Sequence, residues 1–261
     1  FFKNNETKQI IIFHSGNNLD EIKQLIGEED DRIIFREVDK ANTREFFRKQ
    51  LLELVKSLAT SHSNGLLDLG EFTPPNAFDL ILLGASTGGP EAVKQIIGQL
   101  KTNMPPILIV LHMQPEFVER YCERLKRITP LNVIRFVEHQ KIGPNSIYIA
   151  AGSNHMEISK TGSDYFLNKG NKSKINGHCP SVDVLFKSAA KIYDTKILAV
   201  LLTGMGSDGA EGLNLLKNSG AFTITQNEET SEVYGMPKAA IEMGAAKRIL
   251  SLEQIIKILS K

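Results

Sequence analysis

Asp79-Leu80-Ile81-Leu82-Leu83-Gly84-Ala85-Ser86-Thr87-Gly88-Gly89-Pro90-Glu91-Ala92-Val93-Lys94-Gln95-Ile96-Ile97 reads as a strand, a tight glycine turn and a helix. The run before Gly84 is apolar at four successive positions, as a strand covered on both faces must be. Pro90 suits the first helical turn, where a missing N–H loses nothing. Between the two lies Gly84-x-Ser86-x-Gly88, the pattern of an elbow whose sharp turn lifts a serine hydroxyl clear of the sheet. The helix N-terminus beside Ser86 supplies free N–H donors and a partial positive charge, so such a site can attack a carbonyl and hold the resulting oxyanion. The same small residues also suit a plain strand-to-helix turn around a solvated serine, and the pattern alone leaves both readings open.

Outward from this stretch the rhythm repeats. Strand-like runs at Ile107–His112, Ile197–Thr203 and Ala221–Gln226 alternate with helical patterns at Pro115–Ile128, Ser181–Tyr193, Glu211–Ser219 and Lys238–Met243. Apolar strands separated by helices imply right-handed crossovers and a doubly wound, mostly parallel α/β sheet. One region breaks the rhythm. Val133–Val137, Ser146–Ala150, Met156–Ser159 and Tyr165–Asn168 are short runs with turn residues between them, and Thr161-Gly162-Ser163-Asp164 has the look of a hairpin turn. An antiparallel section at one edge is therefore expected.

The first 75 residues have another character. Ile10–Phe13 and Ile33–Val38 read as strands, Asn18–Ile26 and Thr43–Leu58 as helices, and Ser61–Pro75, rich in Ser, Asn, Gly and Pro, as a linker. The expected organisation is a small α/β segment over 1–60, a linker over 61–75 and the main domain over 76–261. So small a segment buries little surface alone and is expected to dock on the main domain or to be the tail of something larger.

Composition excludes more than it selects. At 261 residues and 41% apolar content the chain can build a sizeable core. Thirty-one Lys and Arg against thirty Asp and Glu leave a formal charge of +1, with no electrostatic footprint for nucleic acid or an anionic membrane. No apolar run approaches the roughly 20 residues of a membrane span, no signal peptide is visible, and the cytoplasm is the expected compartment. Cys122 and Cys179 form neither a disulfide framework nor a metal spacing, so two reduced thiols and no bound metal or cofactor are expected.

A serine needs a base, and the base an orienting carboxylate. Of six histidines, His112 closes the strand after the Ser86 strand, so both should emerge at the C-terminal edge of the sheet, where α/β sites gather. A histidine at a strand end can equally be structural. His178 in His178-Cys179-Pro180-Ser181 is the next candidate. His14, His62, His139 and His155 sit on loops with no supporting strand. Leu201-Leu202-Thr203-Gly204-Met205-Gly206-Ser207-Asp208-Gly209 is a second strand-turn-helix. Its Gly204-x-Gly206-x-x-Gly209 matches a dinucleotide fingerprint, with Glu228 near the end of the next strand, and a dinucleotide-binding module is the alternative reading. Against it, the Asp208 carboxylate would face an incoming pyrophosphate inside the turn. The same carboxylate suits an imidazole orienter, and the N–H of Met205 a second oxyanion donor.

Taken together these segments resemble the catalytic domain of the CheB-type bacterial chemotaxis protein-glutamate methylesterases. The resemblance is carried by Gly84–Gly89, by His112-Met113-Gln114-Pro115 with Phe117 and Glu123-Arg124-Leu125, and by Tyr148-Ile149-Ala150 with His155-Met156. It continues through Pro180–Phe186, Leu202–Gly206 with Asp208-Gly209, and Gly235-Met236-Pro237 with Ala240-Ile241, running from about Phe78 to the C-terminus. It implies Ser86 as nucleophile, His112 as base and Asp208 as orienting acid, with Thr87, Met205 and Gly206 around the oxyanion and substrate. It further implies γ-methyl esters of glutamate on the cytoplasmic domains of methylated chemoreceptors as substrate, and deamidation of related glutamines as a second activity.

Two departures stand out. Cys179 precedes Pro-Ser-Val-Asp where the family often carries a basic residue. The family usually also carries an N-terminal phosphoacceptor receiver, whereas here Ile10–Leu58 resembles only the last part of one, with Ser15 after its first strand and no phosphoacceptor Asp. Either the chain is a piece of a longer protein or the protein is not controlled by receiver phosphorylation, and the expectation for this chain is a constitutively active esterase indifferent to small phosphodonors.

Overall fold

The computed structural model describes the backbone of residues 10–14 and 33–37, and residues 77–260 apart from Ser153. The chain divides into two units, 1–71 and 72–261. In the first, β1 (Ile10–His14) and β2 (Ile33–Glu37) pair in parallel with Ile10 opposite Ile33, close to the two strands expected there. The expected helices Asn18–Ile26 and Thr43–Leu58 and the linker Ser61–Pro75 lie outside the described residues.

The second unit contains β3 (Leu80–Ala85), β4 (Ile107–Leu111), β5 (Asn132–Arg135), β6 (Gln140–Lys141), β7 (Ser146–Ala150), β8 (Met156–Thr161), β9 (Asp164–Lys169), β10 (Ile197–Leu201), β11 (Phe222–Gln226) and β12 (Arg248–Leu250). Its helices are α1 (Gly89–Ile97), α2 (Pro115–Lys126), α3 (Val182–Ala189), α4 (Ala210–Asn218), α5 (Met236–Glu242) and α6 (Leu252–Leu259). Seven strands form one parallel sheet in the order β12-β11-β10-β3-β4-β7-β5. Every side chain of β3, β4, β7 and β10 is buried, which is why these strands read as unbroken apolar runs rather than alternating ones. Leu80, Leu82, Leu108 and Val110 pack with Leu185 and Phe186 of α3 and Leu213 and Leu216 of α4. The intervening Ile81, Leu83, Ile107 and Ile109 face the other side, as the two-residue period of a strand requires. There α1 packs against β3 and α6. Each such buried side chain contributes about 1.5–3 kcal/mol over its exposed state, so the sheet and its covering helices supply the core of this unit.

The class agrees with the sequence reading; the membership of its antiparallel part does not. Val133–Val137 and Ser146–Ala150 were expected to be antiparallel, but they are β5 and β7 of the parallel sheet, with β7 inserted between β4 and β5. Burial of all five β7 positions is the parallel signature, masked in the sequence by the shortness of the run. The antiparallel strands pair as a sheet of their own, β6-β9-β8, with Thr161 opposite Asp164 across the expected hairpin turn.

Strand order places the site. The chain steps from β3 to β4 in one direction and later returns to lay β10 on the opposite flank of β3. The C-terminal end of β3 is thus the topological switch point, where loops diverge and leave a crevice. Ser86, His112 and Leu202 are the residues that leave β3, β4 and β10 at this edge. Among the described residues no helix is long and apolar enough to cross a membrane.

Candidate active site

Ser86 follows β3 directly and is nearly buried. Its N–H donates to Thr203 O at 3.0 Å, its carbonyl accepts from Gly89 N–H at 2.8 Å, and Gly88 caps α1 in the left-handed region at φ 77°. A side chain at Gly88 would be strained by that φ and would also meet Glu232. The second glycine turn lies against the first. A Cβ at Gly204 would fall 2.7 Å from Ser86 Cβ and onto Met236 Sδ, so only glycine lets the Leu202–Gly209 segment approach the serine this closely. Thr203 ties the turns together, its hydroxyl donating to Thr87 O at 2.9 Å.

β3 and β4 are in register with Ala85 opposite Leu111, so Ser86 and His112 are the next pair along strands roughly 4.8 Å apart. His112 N–H donates to Ala85 O at 3.2 Å, and its ring is nearly buried. His112 Nε2 lies 2.8 Å from Asp208 Oδ2. Asp208, almost wholly buried, is surrounded by donors. Oδ2 also accepts from Val182 N–H at 2.7 Å; Oδ1 accepts from Ser181 Oγ at 2.6 Å, Asp183 N–H at 3.2 Å and Asn176 Nδ2 at 3.2 Å. Val182 and Asp183 form the first turn of α3, so a helix N-terminus faces the carboxylate. Burial by itself would raise the Asp208 carboxyl, but the hydrogen bonds from His112, Ser181 and Val182 outweigh it and bring its pKa down to about 2.

This fixes the tautomer. An ionised carboxylate only accepts, so the His112 proton sits on Nε2 and Nδ1 carries the lone pair. Nδ1 is buried and has no hydrogen-bond partner among the described residues. The basic nitrogen of the site is therefore Nδ1, with Nε2 turned to the acid. The N–H groups of Thr87 and Met205 likewise make no hydrogen bond to a described residue. Met205 has its side chain exposed, and Gly206 adopts φ 85° with open space above it.

The structure brings Ser86, His112, Asp208, Thr87, Met205 and Gly206 to one edge of the sheet. His178, the other candidate base, lies flat on His112, ring centroids 3.7 Å apart and planes 10° from parallel. His139 is exposed beside Glu138, and the side chains of His14 and His62 lie outside the described residues. His155, passed over in the sequence, is buried; its Nδ1 accepts from Ser181 N–H at 3.0 Å and its Nε2 lies 2.8 Å from Ser173 O. Ser181 and Asn176 were also missed. Ser181 reads as an ordinary N-cap, yet its hydroxyl makes no cap bond and is given to Asp208 instead. Among the described residues no group of three or more His, Cys, Asp or Glu could hold a metal ion.

The dinucleotide reading of Gly204–Gly209 is overturned. The turn's interior is filled by the Asp208 carboxylate, which takes up the N–H groups of α3 and would repel a pyrophosphate. The comparisons with known proteins agree. Residues 81–259 match the family model for CheB methylesterase. The chain is 43% identical over 176 residues to a protein-glutamate methylesterase/protein-glutamine glutaminase of Pseudomonas aeruginosa, covering 67% of this chain and 50% of that protein. The corresponding Escherichia coli protein is 40% identical over 176 residues, again covering 67% and 50%. The crystal structure of the Thermotoga maritima CheB methylesterase catalytic domain superposes with a TM-score of 0.66 at 35% identity, covering 70% of this chain and 97% of that one. The chain thus spans about half the length of the curated relatives it matches.

Proposed function

The chain belongs to the CheB methylesterase family, and from that premise we propose that it hydrolyses γ-methyl esters of protein glutamate to glutamate and methanol. Ser86 Oγ attacks the ester carbonyl while His112 Nδ1 takes its proton. The N–H groups of Thr87 and Met205 receive the charge that develops on the carbonyl oxygen, in the way preorganised donors lower such barriers. His112 Nδ1–H then protonates the methoxy oxygen, methanol leaves, and a glutamyl ester remains on Ser86. Water, deprotonated by Nδ1, attacks that ester and releases the carboxylate and the serine. Asp208 keeps the Nε2 proton in place throughout and offsets the positive charge of the imidazolium.

The reading is carried by one observation: His112 Nε2 is 2.8 Å from an Asp208 held ionised by five donors, while Nδ1 is buried and has no partner among the described residues, on the residue that follows β4 as Ser86 follows β3. The names of the relatives include protein-glutamine glutaminase, and the same steps with ammonia as leaving group give that second activity. The substrate proteins in this proposal are the cytoplasmic domains of methylated chemoreceptors, reached in the cytoplasm. The test is methanol release from methylated receptor by the chain and by Ser86→Ala. Release by the parent and none by the variant is expected; equal release by both refutes the proposal.

A further inference from the structure

Among the described residues, the His112 ring makes one hydrogen bond, through Nε2. The Nε2 bond to Asp208 sets one edge atom, but a planar ring held by one atom can still tilt, and tilting swings Nδ1 away from any fixed hydroxyl. A group lying on its face limits that tilt. That group is the His178 ring, at 3.7 Å and 10° from parallel.

His178 is delivered by a tight turn. Ile175 N–H donates to His178 O at 3.0 Å and His178 N–H to Ile175 O at 2.9 Å, closing a two-residue turn. Its central residues are Asn176 and Gly177, at φ 53° and 81°, the pair that such a turn demands. Asn176 Nδ2 donates to Asp208 Oδ1 at 3.2 Å and to Asp183 Oδ2 at 2.8 Å. The same four residues therefore grip the acid and roof the imidazole. Among the described residues no hydrogen bond uses the His178 ring, and the proton path does not pass through it.

We propose that His178 is a positioning residue for the hydrolysis, its neutral ring holding the His112 plane in the orientation that presents Nδ1 to Ser86 and covering that ring from water. The inference rests on the reading of His112 as base. During turnover His112 passes through the imidazolium, and a neutral aromatic face against a cation is attractive, whereas a second imidazolium would repel it. The charged and titratable groups acting on His178 are His112 and Asp208 across the stack and Lys174 on its own segment; burial, His112 and Lys174 lower its pKa and Asp208 raises it, with a net fall. That fall favours the neutral ring, the form the stack needs.

The experiment compares His178→Ala, His178→Phe and His178→Leu in methanol release from methylated receptor, with His112→Ala as reference and thermal melting of each variant. Loss of a stacked pair predicts that His178→Ala lowers kcat by about two- to tenfold with KM unchanged. Phenylalanine restores kcat to within about twofold because it keeps a flat neutral face, and leucine, which fills the space without one, does not. Equal rescue by leucine overturns the proposal in favour of simple filling. An unchanged kcat in His178→Ala overturns it outright, and so does a loss as large as that of His112→Ala with no rescue by phenylalanine, which would make His178 the base. If His178→Ala does not fold, the phenylalanine and leucine variants decide alone. Full activity in His112→Ala defeats the underlying reading, whereas a dead His112→Ala beside an unaffected His178 series defeats only this inference.

Discussion

Replacing Asp208 with asparagine changes few atoms and tests the site at its centre. Both carboxylate oxygens face donors only: Val182 N–H and His112 Nε2 on one, Ser181 Oγ, Asp183 N–H and Asn176 Nδ2 on the other. An asparagine must turn its NH2 toward one of these groups. Toward Val182 and His112, it forces Nε2 to become an acceptor, so the proton moves to Nδ1 and the base is lost. Toward the other side it opposes two N–H donors, and only the Ser181 hydroxyl can rotate to accept. The drop of the Asp208 pKa from an ordinary 3.8 to about 2 shows that the folded site favours the charge; at roughly 1.36 kcal/mol per pKa unit it corresponds to about 2 kcal/mol. For a unit of this size that lowers Tm by about 4–8 °C. Loss of the correct tautomer should lower kcat by about 10³- to 10⁴-fold, as in other Ser-His-Asp sites. The sign of the pH effect follows from the depressed folded-state pKa. The Asp208 contribution is complete above the unfolded carboxylate's range and disappears as pH falls through about 2. Acid unfolding between pH 4 and 2 should therefore be steeper in the parent than in Asp208→Asn. Calorimetry and methanol-release kinetics on the two proteins give both quantities. A loss in kcat of less than tenfold with an unshifted Tm would refute the reasoning.

Ser86→Ala and His112→Ala should each lower turnover by orders of magnitude, and the double variant should be hardly worse than the worse single one, because the two act in one proton path; multiplying losses in steady-state kinetics would separate them. Gly204→Ala places a Cβ 2.7 Å from Ser86 Cβ, so Ser86 must shift, and displacement of this order costs about 10²-fold in kcat; parent-like kinetics would mean that the two turns yield at no cost. Ser181→Ala removes the 2.6 Å bond to Asp208 Oδ1, and loss of a hydrogen bond to a charged group should destabilise by about 1.5–3 kcal/mol in denaturant unfolding. An unchanged midpoint would show that another donor replaces it.

The elbow, both strand ends and the acid in the second glycine turn were legible because each depends on local chemistry: a helix start after an apolar strand, a histidine closing a strand, a carboxylate among glycines. The support around them was not. Asn176, Ser181 and His155 reach the site across long stretches of chain, and their types fit turns, caps and cores equally well. Even the pairing of His112 with Asp208, 96 positions apart, was reached through the resemblance and strand order rather than through spacing. The stack of His178 on His112 had no sequence signal, since only the turn at Asn176 and Gly177 brings the ring over. The expectation that Val133–Val137 and Ser146–Ala150 belong to the antiparallel section fails for a related reason. A five-residue run shows whether it is apolar but not which neighbour it pairs with, and β7 lies between strands formed earlier in the sequence.

The central claim is that Ser86 is a nucleophile activated through His112 Nδ1. It is tested most directly by reaction with a fluorophosphonate, which forms a stable bond only to a serine that an adjacent base has activated. Peptide mapping by mass spectrometry should find one label per chain, on Ser86, in step with loss of methanol release, and no label in Ser86→Ala or His112→Ala. A label on another residue, or labelling of Ser86 at the same rate in His112→Ala, would contradict the account.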